Sequence, residues 1–403
     1  MNIIWGIGGI FVVLGIAFLL SSAKKSINLR TVLGGLTIQI LFAFIVLKWE
    51  YGRKKLEQFA EAVQSMISYA NEGISFLFGP AADVEKFGFV FAFQVLTVII
   101  FFSSLISVLY YLGIMQKLIR VIGGALSWLL GTSKAESISA AANIFVGQTE
   151  APLIIRPFIA KMTKSELFAV MTGGLASVAG SVLVGYSLLG VPLEYLLAAS
   201  FMAAPAGLIL AKIMIPETEE VDDSEFELEK DDASTNVIDA AARGASDGLH
   251  LALNVGAMLL AFIALIALVN GILGGIGGWF NYDSLSLEGI LGFVFAPLAF
   301  AIGVPWEEAV QAGGYIGQKL VLNEFVAYSS FAPEIANLSP KTVIVVSFAL
   351  CGFANLSSMA ILLGGLGALA PSRRSDIARL GIRAVVAGML ASLLSAAIAG
   401  MFL

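Results

Sequence analysis

A chain of 403 residues with 58% hydrophobic and only 13% charged residues, at a mean hydropathy of +0.92, cannot clothe a water-exposed surface of its own size, since an ordinary soluble domain carries about 25% charged residues. The net charge of −6 reflects ten acidic residues gathered between Glu217 and Asp232, and no basic stripe exists of the kind a nucleic-acid partner needs. The single cysteine, Cys351, excludes an internal disulfide and a cysteine metal site, and the single histidine, His250, is too little for histidine-based catalysis or metal binding and is read as structural or interfacial.

In chain order, runs of about 20 apolar residues, long enough to span a bilayer core as helices, fall at about 2–20, 31–47, 88–114, 166–190, 193–215, 250–272, 342–366 and 379–402. The first run has no Lys or Arg before Lys24. A secretory signal starts with a basic segment, so a retained helix is expected. Between the second and third runs, residues 54–79 set Leu56, Phe59, Val63, Met66 and Ile67 against polar positions at helical spacing. That pattern predicts an amphipathic helix lying in the membrane interface. Two stretches, 131–158 and 303–330, carry internal Gly, Pro, Asn, Gln and Glu and suit neither a clean span nor a solvated loop. The acidic stretch is read as a solvated connector.

Two parts of the chain look alike. Residues 174–181 (Gly174 to Ser181) and 352–358 (Gly352 to Ser358) are dense in Gly, Ala, Ser and Asn where a lipid-facing helix would use Leu and Ile. Upstream of each lies one of the unusual stretches, with a polar tip: Gln148-Thr149-Glu150 in one and Asn323-Glu324 in the other. Partner spans are three crossings apart and so run in opposite directions. The expectation is an inverted repeat with two re-entrant helical hairpins, an architecture of secondary transporters whose sites lie near the bilayer midplane. By the Lys and Arg distribution, the side collecting Lys24, Lys25, Arg30, Lys134, Arg156, Lys212 and the 373–383 cluster is cytoplasmic and both termini are outside. Lys48, Arg53, Lys54, Lys55, Lys319 and Lys341 are assigned to the opposite side.

Backbone that breaks within a membrane must be buried or line a watery cavity, and a carboxylate there is a functional candidate by default. Glu150 and Glu324 are such carboxylates. Glu136, Glu307 and Glu308 are read instead as structural or mouth-facing. The Gln148 amide both donates and accepts, which suits a nucleobase edge, with Thr149 and Glu150 beside it. Glu324 can accept from two adjacent hydroxyls, as a ribose offers. Asn355 and Ser358, three apart on a helix face, can complete that grip, and Phe353 can lie against an apolar ring or simply pack. For a hard cation, which takes oxygen ligands, Asn143 and Ser177 can supply side-chain oxygens and Val146 and Val178 carbonyls. Small polar residues in membranes also serve helix packing, and that alternative stays open from chemistry alone.

At Gly147-Gln148-Thr149-Glu150-Ala151-Pro152, followed by Arg156-Pro157, the sequence resembles the concentrative nucleoside transporter family. Asn323-Glu324-Phe325-Val326-Ala327-Tyr328 and Cys351 to Ser358 look like that family's other signatures, in the expected order, and the likeness runs from about residue 2 to 403. The resemblance implies an all-α integral membrane protein with about eight transmembrane helices, forming a homotrimer in the lipid bilayer of a bacterial cell membrane. Residues 1–130 would be mostly scaffold, 131–215 the first hairpin and two spans, 216–235 the connector, 236–302 a scaffold helix and linker, and 303–403 the second hairpin and two spans. It implies elevator-like alternating access. Gln148, Thr149, Glu150 and Val182 would contact the base, and Glu324, Asn355 and Ser358 the ribose, with Phe353 nearby. A sodium site would map onto Asn143, Val146, Ser177 and Val178, the last standing where a sodium-coupled relative has isoleucine. The three extra N-terminal helices of animal members are not expected, and no cofactor is.

Sodium–nucleoside symport is therefore the expected function. Proton coupling through Glu150 or Glu324, or transport of bare nucleobases or another small polar solute, are the alternatives within transport. An enzyme would want an activated nucleophile or a His/Cys metal set, and a channel a continuous pore with repeated rings. Neither is legible.

Overall fold

The computed structural model describes residues 2–221, 234–279 and 285–403. Most of the acidic connector, residues 222–233, lies outside the described residues. Sixteen helices of eight residues or more organise what is described: α1 (Asn2–Leu19), α2 (Leu29–Ala43), α3 (Glu50–Phe78), α4 (Leu96–Tyr111), α5 (Ile114–Leu130), α6 (Lys134–Ala142), α7 (Lys164–Ala176), α8 (Gly180–Leu188), α9 (Leu193–Met214), α10 (Val237–Gly278), α11 (Leu287–Ala301), α12 (Trp306–Val321), α13 (Glu324–Phe331), α14 (Pro340–Leu350), α15 (Ser358–Leu369) and α16 (Arg374–Ala399). Among the described residues, seven helices are long and apolar enough to cross a membrane, or eight if α11 and α12, bent by 116° at their junction, are one span.

The burial pattern is inside out. Outward faces carry Ile4, Phe11, Leu253, Leu260 and Leu268, whereas Gln39, Asn143, Lys319, Glu324 and Asn355 are buried. A soluble protein reverses this, and a lipid-facing one needs apolar side chains outside. The spans differ among themselves: α9 is 94% buried in its apolar window and α10 only 17%. The inner helices pack through small residues. A Cβ added to Gly207 of α9 would lie 3.2 Å from the Cα of Gly173 in α7, and one added to Gly388 of α16 would lie 2.7 Å from the Leu175 side chain. Backbones approach this closely only where side chains are small.

The expected amphipathic helix is α3, with Gly52, Leu56, Ala60, Ile67, Ala70 and Ile74 on its buried face. Two helices were not anticipated. The third apolar segment ends at Tyr111, and after a left-handed Gly113 the chain restarts as α5, whose Met115, Ile119, Gly123, Leu126 and Leu130 form one buried stripe. The end of the expected linker over 236–302 is α11, capped by Ser286. The segment at 342–366 is two short helices, α14 and α15, separated at residues 351–357. The segment at 166–190 is likewise α7 and α8, separated at 177–179.

Side-chain caps set where the inner helices begin. Ser133 and Glu136 form a capping box at α6, and Thr163 and Glu166 form another at α7. Asn323 caps α13 by accepting from the Val326 N–H at 2.9 Å. Such caps contribute about 0.5–2 kcal/mol each. Glu136 also meets the Lys212 ammonium at 2.8 Å, and Glu308 accepts from the Ser339 N–H and hydroxyl at 2.9 and 2.7 Å. Both carboxylates thus meet donors at the starts of inner helices. Two lysines do not lie where the charge count put them. Lys212 and Lys319 were assigned to membrane surfaces, yet Lys212 is 6% and Lys319 1% exposed, because each finds oxygen partners inside the protein.

Candidate functional site

The breaks in the two split helices meet. The Phe353 N–H, in the gap between α14 and α15, donates to the Ser177 carbonyl, in the gap between α7 and α8, at 3.1 Å. A Cβ added to Gly352 would sit 2.9 Å from the Ala176 carbonyl and 2.7 Å from the Ser392 hydroxyl, so only glycine lets the crossing close. Unwound backbone at four helix ends is thereby gathered inside the protein, where irregular backbone at membrane depth is tolerated.

Around this crossing the polar tips assemble. Glu324 is the first residue of α13, held there by the Asn323 cap. Its Oε1 accepts from the Tyr186 hydroxyl at 3.1 Å and its Oε2 from the Asn355 amide at 3.2 Å. The Asn355 oxygen accepts from the Ser358 N–H at 2.9 Å and from the Ser357 hydroxyl at 2.7 Å. The Ser358 hydroxyl donates to the Phe353 carbonyl at 2.6 Å and accepts from the Gln148 amide at 3.5 Å. Gln148, Ser358, Asn355, Glu324 and Tyr186 therefore form one connected polar chain. Gln148 packs against Gly174, and Thr149 against Gly365 of α15, where an added Cβ would meet the threonine methyl at 3.0 Å. Phe353 is half-buried beside the chain, and Val182 is buried one turn before Tyr186 on the same face of α8.

Glu150 is placed differently. It is exposed and lines a cavity of 490 Å³ between the first tip, α4, α8 and α10, within the 300–1,000 Å³ usual for ligand pockets. The structure brings Gln148 and Glu324 into one network, whereas Glu150 faces the cavity approaching it. The opposite wall was not read from the sequence: Arg243, Asp247, His250 and Asn254 of α10 line it, at spacings of 4, 3 and 4 that put them on one helix face. Tyr186 was also missed. It stacks against Phe325 and Tyr328 at centroid distances of 4.6 and 4.4 Å, which aims its hydroxyl at Glu324.

Of the expected cation ligands, Asn143 lies against Gly173 and Gly174 of α7, and the Ser177 hydroxyl donates to the Gly173 carbonyl at 3.0 Å. Asn143 ends α6 and donates to the Ser139 carbonyl at 2.9 Å, but its side-chain oxygen is buried with no hydrogen-bond partner among the described residues. That oxygen faces α7, lying 3.8 Å from a Cβ added to Gly174. Ser177 follows α7 in extended backbone, and the Gly180 N–H donates to the Phe145 carbonyl at 3.0 Å, tying the first tip to this gap. An orphaned buried oxygen beside a helix C-terminus is the kind of ligand a hard cation takes, and Asn143 fits that role.

The profile for the C-terminus of Na+ dependent nucleoside transporters matches residues 195–400, that for their N-terminus residues 8–81, and one for nucleoside recognition residues 92–192. A Bacillus subtilis protein called an uncharacterized transporter, YutK, is 64% identical over the whole of both chains. The Helicobacter pylori nucleoside permease NupC is 51% identical, over 99% of this chain and 98% of its own. Human solute carrier family 28 member 3 is 40% identical over 98% of this chain and 59% of its own. Among solved structures, CNTnw in an inward-facing substrate-bound state is 58% identical and superposes with a TM-score of 0.94, covering 100% of this chain and 98% of that one. A CNTnw variant in an outward-facing state superposes at 0.96 with 57% identity, with the same coverage. The chain belongs to the Na+-dependent, concentrative nucleoside transporter family, and is a transporter rather than an enzyme.

Proposed function

We propose that the protein is a sodium–nucleoside symporter that imports nucleosides across a bacterial cell membrane by elevator-type alternating access. The observation that carries this is the connected chain from Gln148 through Ser358 and Asn355 to Glu324, which sets an amide reader of base edges and a carboxylate acceptor of sugar hydroxyls on one framework. In this reading Gln148, Thr149, Glu150 and Val182 face the base. Glu324, Asn355 and Ser358 grip the ribose, with Phe353 against it. Glu324 would exchange its Tyr186 or Asn355 bond for the ribose hydroxyls, so the burial cost of the carboxylate is met before and after loading.

Asn143, Val146, Ser177 and Val178 would hold the sodium ion. Bound there, sodium supplies a positive charge that fixes the first tip against the end of α7. That docking orients Gln148 toward the ligand, because Asn143 and Gln148 both pack on Gly174. Binding of ion and nucleoside is thereby coupled through one rigid corner.

The two hairpins (131–158 and 303–330) with their split helices form the moving part, and α1, α2, α3, α4 and α10 the scaffold. The low burial of α10, 17% of its apolar window against 94% for α9, supports a scaffold helix that meets lipid and further copies of the chain in a homotrimer. Both termini lie outside and the basic 373–383 cluster inside.

Radiolabelled uridine uptake into proteoliposomes, with the sodium and pH gradients varied independently, tests the proposal. Uptake driven by inward sodium at fixed pH is expected. Uptake that follows a proton gradient alone would replace sodium with a proton, and no uptake of any nucleoside would end the reading.

A further inference from the structure

Lys319 has no part in the site described above, yet it is one of the largest fully buried side chains in the protein, 1% exposed near the end of α12. Its ammonium donates to the Ala349 carbonyl at 2.8 Å and to the Ser392 hydroxyl at 3.0 Å. Among the described residues it makes no ion pair, and Glu324 follows it by five residues, across the turn from α12 to α13. Lys212, the other buried lysine, is unlike it: that ammonium meets Glu136 at 2.8 Å and Glu217 at 3.4 Å. A buried charge without an ion pair is costly inside a membrane protein and marks function.

The seat of the Lys319 ammonium explains how it is held. Ala349 lies in the last turn of α14, which ends at Leu350. The final carbonyls of a helix lack intrahelical donors and carry the negative end of its dipole. Ser392 adds a hydroxyl oxygen and lies 3.2 Å from the Cys351 carbonyl. Half-helix C-terminal ends and unwound backbone carbonyls are what transporters use for a coupling cation, and here the Ser392 hydroxyl stands beside them.

The first half of the chain has the matching element. Gly174 to Ser177 corresponds in sequence to Gly352 to Asn355, and each stretch lies at the break of a split helix, although α7 runs on to Ala176 whereas α14 stops at Leu350, before its glycine. There the neighbouring side chain is Asn143, neutral, with its oxygen left without a partner. One split helix therefore presents an unfilled oxygen to a mobile ion, and the other already holds an ammonium.

We propose that Lys319 is a tethered cation occupying, in the second half of the protein, the seat that a free sodium ion takes in the first. This rests on the reading as a sodium–nucleoside symporter. Lys319 is a positioning residue: it touches no substrate, but it sets a fixed cation against the end of α14, five residues before Glu324, without a second ion. The transporter consequently moves a single sodium ion per nucleoside, and neutralising Lys319 opens a second, sodium-accepting seat.

The test is binding of radiolabelled uridine to purified protein across a sodium titration, together with the charge moved per uridine in voltage-clamped proteoliposomes. Wild-type protein should bind with a sodium slope near one and move one charge per uridine. Absence of uridine binding by the wild type would instead sink the symport reading itself. Lys319→Gln keeps a donor for the Ala349 carbonyl but removes the charge. It should bind uridine about tenfold more weakly, roughly 1.4 kcal/mol, and its sodium dependence should steepen as a second ion enters. Ser392→Ala keeps the charge and should retain the wild-type slope, which a merely structural role for Lys319 would not separate from Lys319→Gln. An unchanged sodium slope in a folded Lys319→Gln protein overturns the proposal. So do two charges per uridine in the wild type, a measurement that needs no variant.

Discussion

Each oxygen of Glu324 is met by a donor from a different helix system, Tyr186 on α8 and Asn355 in the gap before α15. That arrangement has a measurable consequence. A hydrogen bond to a charged group contributes about 1.5–3 kcal/mol, so Glu324→Gln should weaken uridine binding by roughly 10- to 100-fold while the protein still elutes as a folded species. Unchanged affinity would remove the carboxylate from the ribose grip. At the cation corner, Asn143→Ala deletes the orphaned oxygen. It should raise the sodium needed for half-maximal uptake by roughly tenfold, and an unaltered sodium curve would take Asn143 out of the ligand set. That Gln148, Glu324, Asn355 and Ser358 are candidates was legible in the sequence because polar groups stand out in an apolar chain, whereas the exposure of Glu150 on the cavity was not. Tyr186 and Lys319 were not. A tyrosine reads as an ordinary membrane aromatic, and a single lysine near a segment end reads as a surface anchor. Only the fold shows that Tyr186 points at a carboxylate and that Lys319 lies against a helix end.

At the scale of elements, the pairing of α4 with α10 depends on two glycines a turn apart. A Cβ on Gly244 would lie 2.5 Å from the Ser107 side chain and 2.7 Å from the Ser103 carbonyl, and one on Gly248 2.8 Å from the Ile100 Cα. Ser104 and Ser107 then donate to the Ala241 and Ala240 carbonyls at 2.9 and 2.8 Å. This small-residue seam fixes the wall of the cavity, because Asp247 sits next to Gly248 and so faces beside it. Gly248→Leu must push the helices apart, and overpacking of this kind costs about 1–3 kcal/mol. A lower unfolding temperature in detergent is expected, together with reduced uptake, and an unchanged melting curve would show that the seam is slack. Apolar length identified every long span, since twenty apolar residues admit few other uses. It missed α5 and α11. α5 is amphipathic and follows a span with only a glycine-containing turn between, so its apolar stripe merged with the span before it. α11 was submerged in a linker because it is bent by 116° against α12 rather than continuing it.

For the whole molecule, the cavity has a direction. It is lined by Tyr110 and Tyr111 at the end of α4 and by Arg243 and Asp247 near the start of α10, so it opens on the side where α4 ends and α10 begins. Asn2 donates to the Leu403 carbonyl at 2.6 Å and accepts from Lys341 at 3.0 Å, which gathers both termini with Lys341 on one face. Counting crossings from α1, α4 ends on the other face, the one given to the cytoplasm by its Lys and Arg excess. In the proposed elevator mechanism the cavity is the inward route to Glu150, and the polar face of α10 is the wall past which the first tip would move. The native chain is well suited to testing this, since its one cysteine, Cys351, is buried and should react slowly with a charged thiol reagent. Leu251→Cys places a thiol on the cavity wall. Added to inside-out vesicles, the reagent should label it several-fold faster than when added to right-side-out vesicles, and sodium with uridine should slow the reaction by filling the site that the cavity serves. Labelling only from outside would reverse the orientation assigned from the charges. Labelling from both sides at equal rates, with no effect of uridine, would mean a pore open at both ends and would end the case for alternating access.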